Sequence, residues 1–179
     1  MGILLAFAPF AVFAVLERFI GPVWSLAMGA AVSAALVLRD LLAFDRQPRF
    51  LEMGTFVLFC GLTFFMLVTG TTLPLMGVRA CVDTGLLLII LASMALGRPF
   101  TLQYAKEKVR PGVWRSPSFL RTNYLISGAW ALAFAVMAAT EYAMVFVPAL
   151  PHRLGVALIV VALLGALRFT RRYPGGLRS

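Results

Sequence analysis

Apolar residues run along this chain in long blocks, and polar residues interrupt the blocks rather than alternate within them. Six blocks, 3–20, 23–38, 53–73, 80–96, 124–147 and 154–169, approach or reach the 17–25 residues that cross about 30 Å of hydrocarbon at 1.5 Å per residue. They are apolar nearly all round, so a one-sided helical stripe is not their signature. Helices satisfy their own backbone hydrogen bonds, which lipid demands. A membrane barrel would need segments of about ten residues alternating apolar and polar, and none is present. The pattern therefore predicts an all-α, polytopic transmembrane helical bundle of six apolar segments, read as a single domain over 1–179. Gly21-Pro22 predicts a tight hairpin between the first two segments. Pro9 allows the first segment to be re-entrant instead of spanning. It has no basic leader and no small-residue cleavage site, which argues against a signal peptide.

Composition agrees. Of 179 residues, 61% are hydrophobic and only 13% charged, too little charge to cover a water-soluble globule. The formal net charge is nevertheless +9. Assigning alternate connections to alternate sides explains it. Arg39, Arg46, Arg49, Arg98, Lys106, Lys108, Arg110, Arg115, Arg121, Arg168, Arg171, Arg172 and Arg178 fall on one side, 13 of the 16 bases. Arg18, Arg79 and Arg153 fall on the other. Lysine and arginine collect in cytoplasmic loops, so the first side is the cytoplasm, with both termini there if all six segments cross. The expected location is a bacterial inner membrane.

The long connection, 97–122, carries six of these bases and one acid, Glu107. Gly97 suits a helix end, 100–109 reads as a short helix ended by Pro111-Gly112, and Ser116-Pro117 reads as an N-cap and first residue of the next helix. Trp114, Tyr104 and Phe119 among the bases fit a membrane interface. Lys106, Lys108, Arg110, Trp114, Arg115 and Arg121 are the candidate surface for anionic lipid or a partner protein. The ordinary alternative is a positive-inside loop with interfacial anchors. Nucleic acid is not an expected partner, because topology accounts for the charge and no nucleic-acid motif occurs.

Glu141 is the one carboxylate well inside an apolar block. An intramembrane carboxylate is costly and needs a partner or a task. Arg79, Arg153 and a shared proton are the candidates, and a structural ion pair competes with a relay or substrate contact. Asp83, four residues after Arg79, is expected at the start of its segment and paired with that arginine. Small residues at spacing four, Ala27-Ala31-Ala35 and Ala30-Ala34, then Ala131-Ala135-Ala139, permit close helix approach or a homo-oligomer. The placement of Cys60 and Cys81 at different depths predicts no disulfide. His152 lies beside Arg153 with no ligand cluster. No cofactor or metal site and no catalytic motif is legible, so a non-enzymatic role is expected.

The order of several short motifs resembles the intracellular septation protein A family. These are Phe7-Ala8-Pro9-Phe10-Ala11-Val12-Phe13, then Thr55-Phe56-Val57-Leu58 with Gly61-Leu62-Thr63-Phe64-Phe65. Arg98-Pro99, Pro111-Gly112-Val113-Trp114 and Trp130-Ala131-Leu132-Ala133-Phe134 follow. The interval between Trp114 and Trp130 is longer than the family's, and Glu141 stands where an uncharged polar residue is expected. The resemblance implies a polytopic inner-membrane protein linked to septation and the cell envelope, interacting with envelope or division membrane proteins, without catalytic residues to carry over. The alternatives are a small transporter or lipid-handling protein using Glu141, and an accessory subunit of a membrane complex.

Overall fold

The computed structural model describes residues 5–42, 49–70, 73–107, 109–147 and 151–173. These residues are helical with short connections and contain no strand. The helices are α1 (Ala8–Ile20), α2 (Pro22–Leu42), α3 (Phe50–Thr69), α4 (Leu75–Ala95), α5 (Phe100–Lys106), α6 (Pro117–Phe146) and α7 (His152–Arg172). A single 3-10 turn, Pro111–Val113, lies between α5 and α6. Five of them, α2, α3, α4, α6 and α7, are long and apolar enough to cross a membrane. The protein is a multi-pass, all-α membrane protein.

The expected sixth span is corrected. α1 has 13 residues, about 20 Å at the helical rise, well short of the hydrocarbon thickness. Pro9 sits in its first turn, where its missing N–H costs nothing, and the turn at Phe7 separates this helix from helical Leu5 and Ala6. An odd number of crossings puts the two ends of a chain on opposite faces. The expectation that both ends are cytoplasmic therefore holds only if the first segment crosses.

The chain divides into two compact units, residues 1–78 and 79–179. In the first, Gly21 takes φ +80°, a value glycine adopts without strain, and turns α1 into α2 as its sequence predicts. The buried face of α2 is Ser25, Leu26, Gly29, Ser33, Leu36 and Asp40. Ser25, Gly29 and Ser33 form the small-residue stripe, whereas Ala31 and Ala35 are exposed. The alanine series read from the sequence is exposed or half-buried, so it does not supply the packing stripe within this unit. Gly29 receives the ring of Phe59 from α3, so close that a Cβ there would lie 2.8 Å from two ring carbons. Phe59 also meets Phe13 of α1 edge-on, with centroids 5.8 Å apart.

In the second unit, α4 ends as expected at Gly97, in the left-handed conformation at φ +71°. The Gly97 amide donates to Met94 O and the Arg98 amide to Ser93 O, which closes the last carbonyls of the helix. α5 is shorter than the expected 100–109. Ser93 Oγ accepts from the Phe100 amide at 3.1 Å, and Thr101 Oγ1 donates to Asn123 O at 2.9 Å. Ser116 Oγ accepts from the Phe119 amide and Pro117 opens α6, as the sequence predicts. Trp130 of α6 donates through Nε1 to Thr170 Oγ1 of α7 at 2.9 Å. Near the other end of this pair, Met144 packs over Gly155.

Candidate functional site

Two buried polar clusters and one exposed basic surface hold the chemistry. α4 begins at Leu75, earlier than the apolar block alone suggests. Asp83 consequently lies eight residues into the helix, about 12 Å along its axis, rather than at its start. Arg79 comes with it, one helical turn before Asp83 on the same face. Glu141 lies five residues before the end of α6, about 7.5 Å in.

Asp83 is 1% exposed and Glu141 3%. The two carboxyls are close enough to act on each other, and Arg79 acts on both through its charge. No N–H or hydroxyl donor reaches either oxygen of Asp83, or Oε2 of Glu141. The next residue on each helix adds a long hydrogen bond, 3.4 Å from Thr84 Oγ1 to Tyr142 Oη. A carboxylate only accepts, so a hydrogen bond between two carboxyls requires a proton on one of them. Arg153, the other candidate partner of Glu141, is exposed in the first turn of α7, beside exposed His152. Among the proposed intramembrane residues the structure brings together Glu141, Asp83 and Arg79, and leaves Arg153 apart.

The second cluster lies in the first unit and had no expectation attached to it. Arg49 Nη1 donates to Glu52 Oε1 at 2.8 Å and stands 3.3 Å from Asp40 Oδ2. Arg39 Nη2 is 2.9 Å from Asp40 Oδ1 and 3.7 Å from Glu52 Oε1. The side chains of Arg49, Asp40 and Glu52 are 6%, 1% and 0% exposed, and that of Arg39 39%. Two guanidiniums and two carboxylates thereby clamp the end of α2 to the start of α3. The sequence held the signal, since bases and acids crowd both sides of that connection. A topology ledger counts them all as surface charge.

The basic surface surrounds the 3-10 turn. Phe100, Thr101, Leu102 and Tyr104 bury one face of α5. Lys106 Nζ lies 5.4 Å from the centroid of the Trp114 ring, whose Nε1 donates to Val109 O at 3.1 Å. Arg110, Arg115 and Arg121 are exposed around this corner. Lys108 lies outside the described residues.

Cys60 and Cys81 are free thiols, each half-buried. Among the described residues no group of three or more histidine, cysteine, aspartate or glutamate side chains is placed to hold a metal ion. No family model, no curated protein and no solved structure matches this chain.

Proposed function

We propose that this chain is a non-enzymatic bacterial inner-membrane protein that works by interaction, and that its basic linker docks on anionic lipid headgroups of the cytoplasmic leaflet. The observation that carries the reading is the folded corner of the linker. Trp114 is fixed between Lys106 and the Val109 carbonyl, and Arg110, Arg115 and Arg121, on either side of it in the chain, are exposed. An unstructured positive-inside loop needs none of these contacts. An indole held among cations suits the headgroup layer, where its ring meets the acyl boundary and the cations meet phosphate. The resemblance to septation protein A, carried by the order of its short motifs, fits a role in septation or the envelope. A division or envelope membrane protein is the competing occupant of the same surface.

Each basic residue near an anionic surface contributes about 1 kcal/mol. Replacing Lys106, Arg110, Arg115 and Arg121 together by glutamine should abolish the preference for anionic lipid. Native mass spectrometry of the full chain, released from mixed phosphatidylglycerol and phosphatidylcholine bilayers, measures that preference. The parent protein should retain phosphatidylglycerol selectively and the variant should not. Equal retention by both proteins, or loss of a co-purifying protein with lipid retention unchanged, removes the lipid reading.

A further inference from the structure

We propose that Asp83 and Glu141, with Arg79, form a proton-binding site within the membrane: one exchangeable proton is held between the two carboxyls, and Arg79 balances the remaining negative charge. The argument starts from the charge count. Two carboxyls meet one guanidinium, with both carboxyls almost completely out of contact with solvent. Two ionised carboxylates side by side repel each other, and burial penalises each charge. One proton held between them removes that repulsion.

The hydrogen bonds make the same demand independently. Both Asp83 oxygens and Glu141 Oε2 lack any N–H or hydroxyl donor. A bound proton supplies the missing donor to this pair of acceptors. Among the described residues, Arg79 on α4 acts on the pair through its charge, and Tyr142 on α6 is held at its hydroxyl by Thr84. α7, packed on α6, brings His152 and Arg153 only to its exposed first turn. None of these supplies a second buried cation that would let both carboxyls ionise.

An ordinary structural ion pair looks different. It would match one arginine with one carboxylate and give each carboxylate a donor, as Arg39 gives Asp40 and Arg49 gives Glu52. Here a second carboxyl has been brought from another helix to the same place. The feature differs too from the four-membered cluster of the first unit, where two arginines meet two acids and no proton is required.

Infrared spectroscopy of the full chain in liposomes tests this directly. At neutral pH exposed carboxyls, with ordinary values of about 4, are ionised and do not contribute to the carbonyl stretch of a protonated acid. The parent protein should show one such band, and transfer to D2O should shift it, because the proton exchanges with water. Asp83→Asn and Glu141→Gln should each lose the band, since either remaining carboxylate then stands alone with Arg79. A band that survives in Asp83→Asn or in Glu141→Gln would assign the proton to one residue and overturn the shared site. So would the absence of any band in the parent protein, or a band unmoved by D2O. Absence of the band in the parent protein overturns the proposal even if a variant fails to fold. They do not depend on lipid binding by the linker, so the two proposals can fail separately.

Discussion

Arg49 and Arg39 sit in one charged cluster with different surroundings. Removing Arg49 takes a buried guanidinium from two buried carboxylates, Asp40 and Glu52, so the loss is charge compensation and not merely one bond. Breaking a buried pair in this way costs about 3–5 kcal/mol. Arg39 is 39% exposed, and solvent screens its contribution to about 1 kcal/mol or less. Arg49→Met should therefore lower the thermal unfolding midpoint in detergent strongly, while Arg39→Met should move it little. Equal shifts would show that the cluster is solvated in practice. The same cluster marks a limit of reading charge from sequence. Arg39 and Arg49 were counted as loop bases, correctly for a sidedness argument, yet they spend much of their charge on Asp40 and Glu52. Proximity along the chain was visible; burial, which decides the energy, depends on how α2 and α3 pack.

At the scale of elements, boundaries followed local chemistry closely wherever a cap or turn residue fixed them. Gly21, Gly97 and the Ser116-Pro117 start are where the sequence places them, because each is decided by backbone conformation within a few residues. Helix faces were less legible. An almost uniformly apolar helix has no strong moment to show which side meets protein and which meets lipid. The stripe on α2 was accordingly read as alanines, when the buried small residues are Ser25, Gly29 and Ser33. Asp83 and Glu141 stood out individually because charge in hydrocarbon is expensive. Their meeting depends on the rotation of two helices and was not readable. The corrected stripe yields a comparison. Gly29→Ala drives a Cβ to 2.8 Å from the rigid, fully buried Phe59 ring, at an overpacking cost of about 1–3 kcal/mol that exceeds the gain of up to about 1 kcal/mol in helix propensity. Gly155→Ala approaches Met144 Sδ more closely, but a thioether swings aside where a wedged ring cannot. Gly29→Ala should be the more destabilising in thermal unfolding, despite the shorter distance at Gly155. The reverse order would mean that Phe59 has room to move.

For the whole molecule the open quantity is the number of crossings, and α1 decides it. The five membrane-length helices keep the arginine-rich connections on one side whether or not α1 crosses, so sidedness of the loops does not test it. The length of α1 does. Leu5 and Phe19 lie near its two ends and are 43% and 78% exposed. They are 14 residues apart, about 21 Å if helical throughout, less than the hydrocarbon thickness. A helix of that length does not carry Leu5 from the Gly21 turn to the far face. Single cysteines at Leu5 or Phe19, placed in a chain with Cys60 and Cys81 replaced by alanine, can be labelled in sealed membrane vesicles of either orientation with a membrane-impermeant maleimide. Both positions should label from the same face. Labelling from opposite faces would restore the sixth crossing, and with it a common side for the two ends.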